Sequence, residues 1–317
     1  MNNKFSPSLF CLILINIGTS CAQEDITGVY NRSHKGDPHG ASHLFVLENN
    51  RFVVTFFGGA IAGTWNITKG NLVEFKPDVP KQKIYLYGRH NKDIKDSCRI
   101  FFQGFENNET FIGFEDKAPL RRVFNPSPNC FSYPYVYKFP HIPGQMIMAD
   151  KEDKEPNEKQ NETSSKNIYT FKNTKKYNDF VAYYFEEHND RRPFYAKIKE
   201  KQLFLSEDHA AQKRPLSENT KDLIFIKNIA NMPQETNSVM YNPFYEECRE
   251  DIAKDTLNWR FEQNKNAYIN FLNYVEGEDN TTKIVYEFQH LPVTGKSAGA
   301  IAIDEVPLFV VKCKDRE

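Results

Sequence analysis

Residues 56–65 read FFGGAIAGTW and place small residues, mostly glycine and alanine, between aromatic ones. Small residues let a strand bend sharply, as strands do at the corners of a closed barrel. Short apolar runs flank this stretch at residues 44–47, 51–57, 63–68 and 72–75, with turn residues such as Asn49, Asn50 and Gly70 between them. Similar runs follow at 83–87, 99–105, 110–114 and 120–124. This pattern, about eight strands without helical periodicity, predicts a small antiparallel β-barrel over residues 23–125.

A Gly-x-Tyr strand and a Gly-Thr-Trp strand mark the opening of this region, through Gly28, Tyr30, Leu44, Leu47, Arg51, Phe52 and the stretch that ends at Trp65. Together these residues resemble the start of a lipocalin-like domain found in uncharacterised exported bacterial proteins. The resemblance covers about a third of the chain, and the segment 34–42 is longer than the pattern expects. It implies a fold, and no catalytic residues come with it.

The composition suits a soluble protein with more than one domain. At 317 residues the chain exceeds one typical domain of about 100–200 residues. Aromatic residues make up 14% of it, which favours strands. Lys and Arg number 41 against 42 Asp and Glu, so no net field would gather a polyanion, and we expect no nucleic-acid partner.

The first 22 residues carry an export signal. Lys4 is followed by an apolar run at 9–17 and a small-residue exit at 18–22, the pattern of a cleaved signal peptide. The run is too short to anchor the chain, and no later stretch would span a bilayer. We therefore expect an exported protein of the periplasm, cell envelope or extracellular space. Two cleavage routes stay open: release at Gln23, or lipidation of Cys21, which would tether the protein to a membrane.

Four cysteines remain after the signal: Cys98, Cys130, Cys248 and Cys313. An even number in an oxidising compartment predicts disulfides, and four cysteines allow three connectivities. We favour pairing Cys98 with Cys130 and Cys248 with Cys313, because each pair falls within one predicted domain; buried thiols are the alternative. No two of them have the spacing of a structural zinc site, so we expect no metal there and no cofactor.

Residues 126–166 read as a connection between domains. Its first part is Pro-rich, and aromatic residues alternate along it at Phe131, Tyr133, Tyr135, Tyr137 and Phe139. Alternation places these rings on one face of an extended strand, and Pro134 restricts that strand to a sheet edge or to a clasp between domains. The stretch 150–166 is highly charged and nearly free of apolar residues, which predicts a flexible linker.

An α+β domain is predicted over residues 167–317. Runs at 168–171, 194–199, 203–205, 223–226, 282–288 and 308–312 read as strands. One helix is predicted over 242–259, with Asn242 as the cap and Pro243 as the first helical residue.

Aromatic residues supply the candidate ligand-binding positions. Trp65, Phe56 and Tyr87 would face the barrel interior, while Tyr133, Tyr135 and Tyr137 could stack on a sugar or an apolar ligand. His34, His39 and His43 lie close in sequence with Asp37, but we expect solvated loop histidines and no metal site. The common nucleotide-binding and hydrolase motifs are absent from the sequence, so no catalytic residue is assigned.

These observations favour a non-enzymatic envelope or secreted protein that binds a small apolar ligand, a glycan or an envelope partner. The alternative is a hydrolase of unfamiliar type with its site in a cleft between the domains. That alternative needs a histidine near a carboxylate and a nucleophile, and outside the barrel the candidates are His141, His188, His209 and His290.

Overall fold

A computed structural model describes residues 26–31, 42–57, 59–114, 119–151, 166–185, 192–200, 202–205, 210–216, 221–232, 235–248 and 252–313. The predicted signal peptide, with Cys21, lies outside the described residues. So do most of the predicted charged linker and four residues of interest: His34, His39, His188 and His209.

Across the described residues the chain forms 22 β-strands, one α-helix and a short 3₁₀ turn at Lys92–Ile94. The first strands are β1 Gly28–Asn31, β2 His43–Val46, β3 Arg51–Phe56, β4 Gly59–Thr68, β5 Leu72–Pro77, β6 Ile84–Arg89, β7 Cys98–Gln103, β8 Thr110–Gly113, β9 Leu120–Arg122, β10 Val136–Phe139 and β11 Gln145–Lys151. The others are β12 Lys166–Lys172, β13 Asp179–Tyr184, β14 Phe194–Lys199, β15 Gln202–Phe204, β16 Lys213–Arg214, β17 Ser238–Tyr241, β18 Trp259–Glu262, β19 Ala267–Asn270, β20 Ile284–Leu291, β21 Val293–Gly299 and β22 Ile303–Asp304. The helix α1 spans Lys221–Ala230. The prediction of a mainly β protein is confirmed.

Two compact units divide the chain: unit 1 within Met1–Asp78 and Arg192–Met232, and unit 2 within Val79–Arg191 and Pro233–Glu317. Unit 1 contains one antiparallel sheet in the order β15-β14-β5-β4-β3-β2-β1-β16. A bridge between Phe204 and Ala210 continues from β15 toward β16, so the sheet nearly closes on itself. The predicted barrel is therefore present as a nearly closed, eight-stranded sheet.

Side chains fill the inside of this barrel. The rings of Phe52, Phe75 and Phe194 contact one another, with centroids 4.8–5.6 Å apart. Trp65 is buried, and its Nε1 donates to the carbonyl of Leu47 at 3.0 Å. This close packing requires a glycine at position 63, because a Cβ there would lie 2.3 Å from the carbonyl oxygen of Lys76.

The helix α1 packs on the outer face of the barrel. Leu223, Ile226 and Ala230 recur at helical spacing and are buried against Val53 of β3. Arg51 donates through Nε to the carbonyl of Ala230 at 2.8 Å, which satisfies one of the open carbonyls at the helix end. The prediction of a strand at 223–226 was therefore wrong: the apolar run is helical and presents one face to the sheet.

Unit 2 consists of two sheets with a shared core. One sheet has the order β10-β7-β13-β6-β20-β19-β18, with β17 also paired to β20, and the other has the order β21-β12-β11-β8-β9-β22. Buried side chains from the first sheet, such as Phe102 and Phe180, join Met146 and Phe171 from the second in one cluster. Aligned packing of two sheets through their inner faces is typical of β-sandwiches.

This division differs from the predicted boundaries at residues 125 and 167. The strands from β6 to β9, predicted for the barrel, pair within unit 2, while β14, β15 and β16 complete the barrel. All six residues of β6 are buried, as in a strand covered on both faces, whereas a barrel strand alternates between inside and outside. Part of the predicted linker is also ordered, because β11 lies between β12 and β8.

The helix predicted over 242–259 is not formed in its described residues. Tyr241 pairs with Glu247 in an antiparallel bridge, and β18 begins at Trp259. Asn242 does accept hydrogen bonds from the backbone N–H groups of Phe244 and Glu246, but it closes a turn and no helix follows. The predicted α+β character of the second half is not confirmed.

The predicted disulfide pairing was wrong, because one disulfide joins Cys130 to Cys313. The C-terminal segment lies beside residues 124–129, where the N–H of Asn129 donates to Val311 and the N–H of Cys313 donates to the Asn129 side chain. These bonds bring the two Cα atoms to 5.1 Å. Cys98 is a buried thiol in the core of unit 2, and Cys248 is also a thiol.

Candidate functional site

The β18–β19 hairpin of unit 2 carries an aromatic face that points away from the core. Trp259 pairs with Asn270, and Phe261 pairs with Tyr268. Opposite residues in an antiparallel pair share one face, so three aromatic rings lie together there. On the other face of the hairpin, the residues of β19 are buried: Ala267 and Ile269. Antiparallel sheets usually bury their apolar face and expose the polar one, and this hairpin has aromatic side chains on the open side.

A pocket of about 410 Å³ opens over this hairpin. The segment before β18 forms one wall, and the residues around the pocket are Ile252, Ala253, Thr256, Trp259, Arg260, Phe261, Tyr268 and Phe271. Phe261 is 46% exposed, and its ring meets that of Tyr268 with centroids 5.2 Å apart. Small-molecule sites combine aromatic walls with few polar groups in this way, and we call this feature the hairpin pocket.

One cation borders the hairpin pocket. The guanidinium carbon of Arg260 lies 5.0 Å from the centroid of the Phe271 ring, within the range of a cation–π contact. Burial, and then the charge of Glu287, raise the pKa of the Tyr268 hydroxyl, so this group stays a neutral donor at physiological pH.

A second pocket of about 400 Å³ lies in unit 1 between α1 and the turn after β2. Three leucines and four polar residues line it: Leu47, Leu216, Leu223, Glu48, Asn49, Lys227 and Asn231. It has no aromatic wall and borders residues 217–220, which lie outside the described part. The hairpin pocket is therefore the better candidate for ligand binding.

Of the six predicted ligand-binding residues, four pack in or against the cores of the two units and two are exposed. Trp65 and Tyr87 are buried, Trp65 in the barrel core and Tyr87 in unit 2, on β6. Phe56 is 42% exposed at the end of β3. Tyr135 belongs to the core of unit 2, and Tyr137 packs against that core from the edge strand β10, which leaves Tyr133 as the exposed ring of the three. Core packing thus accounts for most of the alternating aromatic tract.

A buried charge cluster lies on the outer face of the first sheet of unit 2. The carboxylate of Asp179 accepts from Arg89 at 2.6 Å, from Arg99 at 3.1 Å and from Asn91 at 2.9 Å, and the hydroxyl of Tyr245 also donates to it. Burial alone would raise the pKa of Asp179, but the hydrogen bond from Arg99 and the two guanidinium charges hold that pKa below its usual value. One carboxylate is thereby shared by two arginines within the fold.

His290 is the one predicted catalytic histidine that the described residues place beside a carboxylate. Its Nδ1 lies 3.3 Å from Glu235, and its Nε2 is buried without a hydrogen-bond partner among the described residues. Burial lowers the pKa of His290, and Glu235 partly offsets this. His141 is exposed and contacts the ring of Phe114. No described hydroxyl or thiol forms a hydrogen bond with the Nε2 of His290.

The lowered pKa of His290 gives a pH prediction. The unfolded chain binds a proton near pH 6.5, whereas the folded imidazole resists protonation, so stability falls as the pH decreases from about 7 to 5. His290→Gln is expected to make the free energy of unfolding less dependent on pH over this window. The decrease in slope should correspond to less than one bound proton. Urea titrations followed through hydrogen exchange of β20 measure the slope. The exposed His141→Gln is the control, and an unchanged slope in His290→Gln would contradict the assignment.

Metal binding finds no support in the described residues, where no group of three or more His, Cys, Asp or Glu side chains is placed to hold an ion. His43 lies on β2, while His34, His39 and Asp37 fall outside those residues.

No helix in the described part of the chain is long and apolar enough to cross a membrane.

The described chain is thus a mainly β protein with a barrel-like unit, a two-sheet unit and an aromatic surface pocket. Comparison with protein-family models, with curated proteins and with solved structures finds no match.

The hairpin pocket is not among the sites predicted from the sequence. Trp259 was placed at the end of a predicted helix, which removed it from consideration. The signal that could have found it is the alternation in WRFE at 259–262 and AYIN at 267–270 around a polar turn that contains Asn264 and Asn266.

Proposed function

We propose that this chain is an exported, non-enzymatic binding protein and that the hairpin pocket holds a glycan. The observation that carries the proposal is the open aromatic face of the β18–β19 hairpin, with Trp259, Phe261 and Tyr268 around one pocket. A sugar ring presents an apolar C–H face that packs on an aromatic ring, while its hydroxyls stay in contact with water. An aromatic surface with polar groups at its margin suits such a ligand.

The other ligand classes have less support. A small apolar ligand inside the barrel would compete with the rings that already fill it, such as Phe52 and Phe75. An envelope protein would need a larger apolar surface than one pocket. The lipocalin-like resemblance remains a proposal for unit 1, whose nearly closed eight-stranded sheet supports it. In this reading the barrel is a scaffold.

Export remains part of the proposal, since it depends on residues 1–22, which lie outside the described part. The disulfide between Cys130 and Cys313 supports it, because such bonds persist in oxidising compartments. The hydrolase alternative is supported by one contact, that of His290 with Glu235. The enclosed Nε2 argues against it, because a general base must reach the proton that it removes.

Binding of polysaccharides by affinity electrophoresis tests the proposal. Trp259→Ala is expected to weaken binding of the retained glycan by at least about tenfold, because tryptophan is among the residues that contribute most to affinity at binding sites. The matched control is Phe57→Ala, which removes an aromatic side chain that is 83% exposed in unit 1. Tyr133→Ala tests the aromatic tract. Retained binding in Trp259→Ala, or loss in Tyr133→Ala alone, would move the site away from the hairpin pocket.

A further inference from the structure

We propose that the glycan carries a carboxylate, so that the hairpin pocket takes a saccharide containing uronic acid. This inference rests on the proposed function and names the ligand class for the same site. It follows from Arg260, the one charged side chain around the pocket.

Several arginines on folded elements of the described chain have a carboxylate partner. Arg51 pairs with Asp78, Arg99 pairs with Asp179, and Arg122 pairs with Glu305. Arg260 has no carboxylate within 4.0 Å among the described residues. Its charge is therefore available to a ligand.

The ring of Phe271 supports the Arg260 guanidinium from one side. A guanidinium that packs on an aromatic ring keeps its edge and its N–H groups open to a planar acceptor. A carboxylate matches that edge with two parallel hydrogen bonds. Arg260 pairs with Ile269 and so lies on the other face of the hairpin from the three rings, but it borders the pocket because β18 is an edge strand. The pocket thus offers aromatic faces for the sugar ring and, around the edge of β18, a cation for a carboxylate of the same saccharide.

The test compares one saccharide with and without its charge. Calorimetry with a galacturonic acid oligomer and with its methyl ester changes only the ionised group, because the ring and its hydroxyls stay the same. Wild-type protein is expected to bind the acid at least about tenfold more tightly than the ester. Arg260→Gln is expected to lower the affinity for the acid to that for the ester and so to remove the preference. Arg260 is exposed, so this variant should fold normally, which circular dichroism checks.

Lys265→Gln is the matched control, because it removes a cation from the hairpin turn that does not border the pocket. It should keep the preference for the acid. Equal loss in Lys265→Gln and Arg260→Gln would indicate a general charge effect and overturn the inference.

The outcomes separate this inference from the proposed function. Binding of acid and ester with equal affinity, both lost in Trp259→Ala, would overturn the carboxylate and keep the glycan site. Preference for a sulfated saccharide over the uronate would overturn the ligand class. Binding that does not respond to Trp259→Ala would overturn the proposed function itself.

Discussion

Asp179→Asn is expected to lower the free energy of unfolding of unit 2 by about 3–5 kcal/mol, the usual cost of leaving a buried charge without its partner. Asp179 is fully buried, and Arg89 beside it is 8% exposed. The amide cannot neutralise either guanidinium. Arg89 would keep its contacts with the rings of Tyr286 and Phe288, whose centroids lie 3.8 and 5.2 Å from the guanidinium carbon, and these cannot replace an ion pair.

Hydrogen exchange of β6, β7 and β13 during urea unfolding measures this change, because Asp179 lies on β13 and the arginines lie on its two neighbours. The control is Glu305→Gln, which removes the carboxylate partner of Arg122. The Glu305 side chain is 68% exposed, so this change should cost less than about 1 kcal/mol. An Asp179→Asn protein as stable as the control would show that the cluster does not hold these strands together.

Since the pKa of Asp179 is lowered in the fold, its contribution to the free energy of unfolding is present above about pH 4 and is lost as the pH falls further.

Replacing both Cys130 and Cys313 by Ser is expected to cost about 2–5 kcal/mol of the stability of unit 2, because the disulfide closes a loop of 183 residues. The C-terminal segment would then depend on backbone bonds such as those from Leu308 and Phe309 to the strand β9 region. We expect faster proteolysis after residue 300 as well as a lower unfolding midpoint. Cys248→Ser is the control, because it leaves the disulfide in place.

Intact mass under non-reducing conditions checks the pairing directly, and the same spectrum tests whether the proposed signal peptide is removed and whether Cys21 carries an acyl chain. One disulfide should form, with Cys98 labelled only after unfolding. Burial, and then the charge of Asp179, raise the pKa of the Cys98 thiol to about 12, so this thiol stays protonated and unreactive in the fold. Two disulfides, or native labelling of Cys130, would contradict the structure.

Local pairing explains which parts of the fold the sequence could predict. The runs at 44–47, 51–57, 63–68 and 72–75 correspond to β2, β3, β4 and β5, which pair in sequence order through short turns. Such hairpins carry their own signal in alternation and turn residues. The strands that complete the barrel come from residues 194–214, and no local pattern reports a partner so distant in sequence.

One strand prediction and one helix prediction failed for related reasons. The run LIFI at 223–226 reads as a strand because of its isoleucines and phenylalanine, yet the spacing of Leu223, Ile226 and Ala230 is helical and the barrel supplies the surface that they cover. Asn242 has the right chemistry for a cap, but Tyr245 adopts a positive φ of 60°, which ends any helix there. Tyr245 then reaches Asp179, so tertiary contacts decided this conformation.

The candidate site was out of reach for the same reason. The aromatic tract at 131–139 is distinguished by its alternation, but Tyr135 and Phe139 are core residues of unit 2. Which aromatic residues remain open depends on which strand faces are covered, and this follows from sheet order. Only the β18–β19 register shows that Trp259 and Tyr268 share the open face.

The interrupted barrel has a consequence for biogenesis. β5 ends at Pro77, and its neighbour β14 begins at Phe194, after most of unit 2 has been synthesised. If the chain is exported as proposed, it would display the bare edge of β5 while residues 78–193 pass through the translocase. Unpaired strand edges recruit other chains, so the nascent polypeptide should need a holdase until its last barrel strands emerge.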